Sequence, residues 1–373
     1  MTTLLEHPRS SAPIPAPAPA KRPAQGVTTA LFAVAVALAG YTGFRLPGEW
    51  AATLEATSLT EGFHRRFLVG TLLHPFAVAT GYDYRVFAVA SFAVLGGLLA
   101  AVAIAFFRSP DGSRRMVIIA WLLLPTGGYL FHEVGYYDQV LYLLLFGALW
   151  ALHRNRPGIA SALLVLSVTV HEIALLTVLP VFGFAVLRKF PFRRACVFLA
   201  PPAVAGLVIL AVPSAAPGAV DRLGNTLAGA NFSYRTDALS LFGRSQSQSW
   251  GIYSITDVLL YLVPIAVVVI GGFLLVHRPS GAAVLPVAAI AAPLLLAFGG
   301  WDEARWGFLL VSNFVVVLWL WLGNRGRELK MSQLGALTAV LLILTHIPMP
   351  YFDGYSPRVI TLVGPPHAVG VLK

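Results

Sequence analysis

The stretch YLFHEVGYYDQVLYLLL, residues 129–145, places His132, Glu133 and Asp138 between two runs of apolar residues. A carboxylate or an imidazole can act as a general base towards a hydroxyl group. An ionisable side chain at membrane depth is costly to desolvate and is therefore a candidate for function. The alternative is an ordinary polar turn at the membrane surface within an aromatic belt. We take these three residues, with the adjacent Tyr137, as the first candidate site.

A second His-Glu pair, His171 and Glu172, recurs inside the apolar segment 158–187, where polar side chains are hard to hydrate. Neither pair has the second histidine that a zinc-protease motif requires, and no P-loop, GxSxG elbow or dinucleotide fingerprint stands in a suitable context. Carboxylate oxygens suit Mg²⁺ or Mn²⁺. Glu133, Asp138 and Glu172 are therefore candidate ligands of a divalent cation.

The first long polar loop, residues 45–85, contains the run SLTEGFHRRF. Ser58 followed by Glu61 fits a capping box, which predicts a helix that begins near Leu59. In such a helix Glu61 and Arg65 lie one turn apart. Glu61 is then either a helix cap or a candidate base.

Two arginines, Arg65 and Arg66, enter the apolar run 67–79, which is too short to cross a bilayer. Pro75 lies within the run and predicts a break, so we expect a short interfacial or re-entrant helix. The forked donors of arginine suit a phosphate group. The alternative is that both side chains only anchor the loop to anionic lipid.

Two further polar clusters, GGWDEARW and NFSYRTDALSLFGRSQSQSW, lie between apolar runs. Charges and aromatic residues of this kind suit carbohydrate or lipid head groups, although both clusters also fit plain boundary or solvated loops. The remaining candidate substrate-binding residues are His64, Asp83, Tyr137, His171, Glu172, Arg235, Asp302 and Arg305.

The composition predicts that these residues are positioned by membrane helices. The chain is 57% hydrophobic and only 11% charged, which exceeds what one soluble core could bury. The net charge of +10 comes from short loops, without the basic and aromatic stripe of a nucleic-acid binder. Cys196 is the single cysteine, so a disulfide within the chain is impossible. The expected fold is an all-α bundle of about nine to eleven spans with short re-entrant or interfacial helices.

The apolar runs divide the chain into a tail and one integral membrane domain, residues 27–373. Residues 1–26 are rich in Pro and Ala and predict a disordered cytoplasmic tail. The first span is expected to be uncleaved, although Ala37–Ala39 resembles a signal-peptide cleavage site. The predicted spans are about 27–44, 86–107, 116–131, 139–152, 196–212, 255–276, 282–299, 306–323 and 333–348.

The basic residues predict the topology. Basic clusters flank the segment 158–187 on both sides, so we expect a hairpin that enters and leaves on the cytoplasmic side, with its apex near His171. With a cytoplasmic N-terminus, 16 of 26 Lys and Arg but only 3 of 16 Asp and Glu are cytoplasmic. The outer loops are then 45–85, 130–138, 213–254 and 300–305, and the C-terminus is external. A multi-pass protein of a bacterial-type cytoplasmic membrane is expected.

This layout resembles the GT-C class of integral-membrane glycosyltransferases, which take sugars from polyprenyl-phosphate donors on the outer face. The resemblance is architectural and covers most of the chain: many spans, acids in the first outer loop, a second acidic site between the third and fourth spans, and short broken helices. It implies that Glu61 or Asp83 is the base and that Glu133 or Asp138 positions a metal or the donor.

The expected function is transfer of a sugar from a lipid-linked donor to a glycan or lipid acceptor, as in a polysaccharide polymerase. The candidate catalytic residues are Glu61, His132, Glu133 and Asp138, and Arg65 and Arg66 are candidates to hold the phosphate. The alternative is a secondary transporter or lipid-linked-sugar flippase. A transporter usually has an inverted repeat and ionisable groups near the midplane, whereas here these groups crowd towards one face.

Overall fold

The computed structural model describes residues 23–211, 216–243, 254–277, 283–299, 302–323 and 329–345. The described residues form an all-α bundle and contain no β-strand, which confirms the predicted fold class. Five helices are long and apolar enough to cross a membrane, and one bent helix pair makes a sixth candidate. The chain therefore has the helices of a polytopic membrane protein.

The helices are numbered here in chain order. The first half contains α1 (Pro23–Gly43), α2 (Glu49–Glu55), α3 (Phe67–Ala79), α4 (Tyr84–Arg108), α5 (Gly112–Leu123), α6 (Pro125–His132), α7 (Tyr137–His153), α8 (Pro157–Val170) and α9 (Val178–Lys189). The second half contains α10 (Phe192–Ala211), α11 (Ala219–Ala228), α12 (Thr236–Gly243), α13 (Val263–His277), α14 (Val284–Ala291), α15 (Glu303–Leu322) and α16 (Met331–Thr345). A π-helical turn, Val258–Leu262, precedes α13, and a 3-10 helix, Ala292–Phe298, follows α14.

The third predicted span is bent where α5 meets α6, by 57°. Pro125 is the first residue of α6, a position where its missing N–H is not needed. Gly127 lies against the backbone of the preceding turn, since a Cβ there would stand 1.9 Å from the carbonyl oxygen of Leu122. The proline and glycine therefore turn the chain towards the loop that carries His132 and Glu133.

The segment 158–187 folds back on itself as predicted, whereas the side of the membrane on which it begins and ends stays a prediction. Its legs are α8, with 14 residues, and α9, with 12 residues, separated by the 3-10 turn Glu172–Leu175. Nζ of Lys189, at the end of α9, donates to the carbonyl of Leu152 at 2.5 Å, close to where α8 begins. At about 1.5 Å per residue, α8 is roughly 20 Å long and too short to cross the hydrocarbon core.

Basic side chains collect at one end of the bundle, which we call the basic end. Arg114 donates to the carbonyl of Gly323 at 3.4 Å, and its guanidinium lies 3.8 Å from the ring centre of Trp319. Arg188 donates to the carbonyl of Leu320 at 2.7 Å. These contacts bring the ends of α9 and α15 and the start of α5 to one side. The loops that carry the candidate site lie at the other side, the polar end.

A second, smaller core covers the polar end. Apolar residues of α11 and α12 pack against α2 and the start of α4, and they include Phe87, Leu223, Leu227, Phe232 and Leu239. Asn231 adds two polar contacts, because it accepts from the Tyr84 N–H at 2.8 Å and donates to Asp83 at 3.0 Å. The loop between α10 and α13 is therefore held over the first polar loop.

The helix predicted from Leu59 is wrong in extent. The capping box is present, with the Ser58 N–H donating to Glu61 Oε2 at 3.1 Å, but it caps a single 3-10 turn. Gly62, at φ 106°, ends that turn, so Glu61 and Arg65 do not share a helix. The break predicted at Pro75 is also wrong, because α3 continues through it. One missing backbone hydrogen bond is tolerated in a helix of 13 residues.

Several predicted segments lie partly or wholly outside the described residues. The helix α1 begins at Pro23, so residues 23–26, predicted as tail, are helical. The rest of the predicted tail lies outside the described residues, as do 212–215 and 244–253 of the third outer loop, residues 300 and 301, and the C-terminal stretch from 346.

The arrangement of the two ends predicts a labelling pattern. In a Cys196→Ser background, Arg154→Cys at the basic end and Arg222→Cys on α11 are both exposed. A membrane-impermeant maleimide added to intact cells should label the cysteine at 222 and leave the one at 154 unlabelled until the membrane is permeabilised. Labelling of both cysteines from the same side would contradict the two-ended arrangement.

Candidate functional site

Three ion pairs, all with a buried carboxylate, lie at the polar end. In the first, Arg66 donates from Nε to both oxygens of Glu172 at 3.1 Å and from Nη2 to Oε1 at 2.6 Å. Arg65 adds a longer contact to the same carboxylate, at 3.5 Å. Arg66 has a φ of 66°, a conformation that non-glycine residues seldom adopt. Such strain is most often found where a side chain must be aimed at a site.

The second pair joins the start of α7 to the start of α15. Arg305 donates from Nε to Oδ2 of Asp138 at 2.6 Å and from Nη2 to Oδ1 at 2.8 Å, a two-pronged contact. Both side chains are buried. Nη1 of Arg305 lies 3.7 Å from Asp302. The guanidinium is therefore held in one orientation by two carboxylates.

The third pair involves a residue that sequence reasoning missed. Nη2 of Arg45, just after α1, donates to Glu133 Oε1 at 3.0 Å, and its Nε donates to the carbonyl of His132. His132 lies 3.6 Å from the same carboxylate oxygen. Arg45 could have been suspected, because the predicted topology puts it at the outer end of the first span, where a basic residue runs against the positive-inside rule.

A narrow cleft at the polar end, here the arginine cleft, brings the first two pairs together. Its walls include Arg66, Arg305 and His171, together with the aromatic side chains of Trp50, Tyr136 and Tyr137. The rings of Trp50 and Tyr136 stack, with their centres 5.5 Å apart. The guanidinium of Arg305 lies 5.6 Å from the ring centre of Tyr136. Two cations therefore share one cleft with a stacked aromatic pair.

A second cavity of about 180 Å³ lies among α2, α3, α4 and α7. Its walls are mainly apolar, with Glu55, Ser91 and Gln139 as the polar exceptions, and we call it the apolar cavity. Gly135 and Tyr136 line both this cavity and the arginine cleft, so the two spaces are adjacent.

Glu55 is buried and was not singled out in the sequence, because it lies in an alanine-rich run without any motif. The hydroxyl of Ser91 donates to its carboxyl group at 3.1 Å. Burial raises the pKa of Glu55 to about 8, and the hydrogen bond from Ser91 offsets only part of that rise. Glu55 is therefore protonated at neutral pH.

This raised pKa predicts a pH-dependent stability. The folded protein holds the Glu55 proton more tightly than the unfolded chain does. The protonated carboxyl group therefore adds to the free energy of unfolding in full below the ordinary glutamate pKa of 4.5, and this stabilisation is lost as pH rises towards 8. Relative to Glu55→Gln, the wild type should lose up to about 1.4 kcal/mol of stability per pH unit in that window. Thermal unfolding in detergent between pH 4 and 9 measures the difference. Parallel curves for the two proteins would contradict the assignment.

The structure separates the predicted site residues into two sets. Arg66, Tyr137, His171 and Arg305 line the arginine cleft, and Arg65, Asp138, Glu172 and Asp302 contact them from behind. The others lie elsewhere. Glu133 pairs with Arg45 and lies beside His132. Glu61 caps its turn, His64 contacts the Gly62 carbonyl, Asp83 caps α4, and Arg235 pairs with Asp237 on the surface.

The candidate metal ligands Glu133, Asp138 and Glu172 each contact a different arginine. Among the described residues, no three His, Cys, Asp or Glu side chains are grouped as a metal site would require. A bound divalent cation stays a prediction. In the structure each of these three carboxylates forms an ion pair with an arginine.

The chain was compared with known families and structures. No protein-family model, curated protein or solved structure matches it. The case for a function therefore depends on the geometry of the arginine cleft and the apolar cavity. Trp50, Tyr136, Arg45, Glu55 and Gln139 join the candidate residues on that ground.

Proposed function

We propose that the protein transfers a sugar from a lipid-phosphate donor to a hydroxyl acceptor at the polar end of the bundle. The observation that carries this proposal is the convergence of Arg66 and Arg305 on one cleft walled by Trp50, Tyr136 and Tyr137. Guanidiniums beside aromatic faces suit a ligand that combines a phosphate with a sugar ring.

The arginines of the cleft keep N–H donors for an anion. Glu172 and Asp138 each balance the charge of one guanidinium and hold it in a fixed orientation. Nη1 of Arg66 makes no hydrogen bond to any residue that the structure describes, so it keeps a donor for a ligand. Donors fixed in advance stabilise the charge that develops on a leaving phosphate without further reorganisation.

The apolar cavity supports a lipid-linked donor in particular. Its walls include Leu72 of α3, which is 64% exposed on the outside of the bundle. Val89 of α4, beside the cavity residue Ala90, is 69% exposed. A hydrocarbon chain could therefore enter from the membrane between α3 and α4 while its phosphate reaches the adjacent arginine cleft.

Substrate entry requires movement. The cleft has a volume of about 10 Å³, enough for one water molecule. A sugar phosphate is larger, so residues of the cleft wall must move apart when it binds. Loop or lid movements of this kind are common in enzymes that exclude water from the reaction.

The same geometry favours an enzyme over a transporter. The ion pairs crowd at one end of the bundle, whereas a transporter is expected to bind its substrate near the midplane. The basic end is proposed to be cytoplasmic by the positive-inside rule. The arginine cleft then opens at the outer face of a bacterial-type cytoplasmic membrane, where a polysaccharide polymerase would act.

The decisive experiment incubates the purified protein in nanodiscs with a panel of radiolabelled polyprenyl-phosphate sugars and a mixed glycan and lipid acceptor fraction. We expect transfer of labelled sugar to the acceptor, with release of polyprenyl phosphate, from one or more lipid-linked donors, and no transfer of sugar from nucleotide sugars. Movement of an intact lipid-linked sugar across proteoliposomes, without release of polyprenyl phosphate, would favour the flippase instead.

The apolar cavity offers a matched pair of variants for this assay. Ala90→Phe fills the cavity, whereas Ala93→Phe places the same side chain on the exposed side of α4. We expect Ala90→Phe to raise the KM for the lipid-linked donor by at least tenfold and Ala93→Phe to leave it within twofold. Equal KM values would place the lipid chain elsewhere.

A further inference from the structure

Four exposed arginines share one corner of the basic end, which we call the basic corner. They lie in the turn between α7 and α8 and in the first turn of α10: Arg154, Arg156, Arg193 and Arg194. None of them forms an ion pair with an acidic residue that the structure describes. Glu172, at the polar end, is the only acidic residue in the sequence from 151 to 199. The corner therefore carries positive charge that no described carboxylate balances.

Contacts between the helices bring the two pairs of arginines to the same side. The hydroxyl of Ser161, near the start of α8, donates to the carbonyl of Phe198, near the start of α10, at 2.8 Å. The rings of Phe190 and Phe198 pack with their centres 5.4 Å apart. Lys189 adds a fifth basic group, and its bond to the Leu152 carbonyl joins the end of α9 to the end of α7. The starts of α8 and α10 thus form one basic surface.

Aromatic rings and a tight turn define the positions of these arginines. The guanidinium of Arg154 lies 5.5 Å from the ring centre of Trp150, and that of Arg194 lies 5.1 Å from the ring centre of Phe190. Asn155 has a φ of 58°, a left-handed conformation that asparagine tolerates, and its N–H donates to the Leu152 carbonyl at 3.1 Å. Basic groups beside aromatic rings are typical of the boundary between a membrane and water.

Exposed apolar side chains continue from the basic corner along both helices. They include Ile159 and Leu166 on α8, and Val197 and Val204 on α10. A phospholipid has the same order of groups, with a charged head above hydrocarbon chains. An acidic protein partner would match the arginines but would leave the apolar faces of α8 and α10 uncovered, so the surface favours a lipid.

We propose that the basic corner binds the phosphate of an anionic phospholipid, whose acyl chains lie along the exposed faces of α8 and α10. The forked donors of arginine match phosphate oxygens, and each basic residue near the membrane surface strengthens the attraction to anionic lipid. A zwitterionic lipid offers the same phosphate, but the surplus of arginines repels its ammonium group. The bound lipid anchors the base of the hairpin at the end opposite the arginine cleft, so this site does not depend on the transfer reaction.

Trp150 is a natural reporter of lipid at this corner, because it is 52% exposed and lipids with brominated chains quench a tryptophan that they touch. The difference in fluorescence between the wild type and Trp150→Phe isolates its signal. In bilayers that mix brominated phosphatidylglycerol with phosphatidylcholine, we expect the anionic lipid to be preferred by about 10- to 30-fold. High salt should reduce the preference, because it screens charges at the surface. Equal affinity for the two lipids in the wild type would overturn the proposal.

Two double variants with the same change in net charge locate the site. Arg193→Gln/Arg194→Gln removes two charges from the corner and should lower the preference to about threefold or less. Arg85→Gln/Arg222→Gln removes two exposed charges on α4 and α11 instead and should leave the preference within about twofold of the wild type. An unchanged preference in the first variant would contradict the assignment. Loss of quenching on addition of millimolar inorganic phosphate would show that free phosphate occupies the corner, and it would also overturn the lipid site.

Discussion

Arg66→Ala is expected to lower kcat/KM for a polyprenyl-phosphate sugar by about 10²- to 10³-fold, the usual effect of removing a donor that stabilises developing negative charge. Arg66 combines an unusual backbone conformation, a two-pronged contact with Glu172 and a place in the cleft wall. Arg66→Lys keeps the charge and the ion pair but loses the fork, so it should recover only part of the activity.

The neighbouring arginine is the matched control. Arg65 lies 3.5 Å from Glu172, farther than Arg66 does, and is not among the residues that line the cleft. Arg65→Ala should therefore lower kcat/KM by less than tenfold. Initial rates with folded protein, checked by gel filtration and thermal unfolding, give the comparison. Equal losses of kcat/KM in the Arg65→Ala and Arg66→Ala variants would contradict the proposal that Arg66 in particular stabilises the leaving phosphate.

The structural elements that depend only on short-range sequence patterns were predictable. Alternation of apolar runs with charged turns predicts the helices, and the basic clusters beside α8 and α9 predict a hairpin that returns to the side where it began. The Ser58–Glu61 capping box was also predicted correctly, because it depends only on residues three apart. The helix expected beyond it was wrong because Gly62 adopts a positive φ and ends the turn.

The partners of the charged residues were not predictable from the sequence. Arg66 and Glu172 are separated by 106 positions, and Arg305 and Asp138 by 167. Sequence spacing favoured a local contact between Glu61 and Arg65, which the structure does not form. Desolvation explains the difference, because a buried carboxylate needs the best available donor and packing decides which arginine reaches it. Glu55 escaped notice for a related reason: its apolar surroundings come from α3 and α4, which are distant in sequence.

The largest effect on stability is expected at Asp138 and Arg305. Arg305→Ala leaves the Asp138 carboxylate buried without its two-pronged partner, and removing one member of such a pair typically costs about 3–5 kcal/mol. Arg235→Ala is the matched control, since Arg235 and Asp237 form an equally direct ion pair with more than half of each side chain exposed. That change should cost no more than about 1 kcal/mol. Reversible unfolding in mixed detergent micelles gives both values.

A double replacement separates the cost of an unpaired charge from the loss of the pair itself. In Asp138→Leu/Arg305→Met both charges are removed and the apolar volume is largely kept, so most of the stability lost in Arg305→Ala should return. Transfer activity should not return, because the cleft then lacks one of its two guanidiniums. A double variant that is as unstable as Arg305→Ala would show that the pair holds α7 and α15 together directly. A stable double variant with full activity would instead leave Arg66 as the only arginine that the reaction needs.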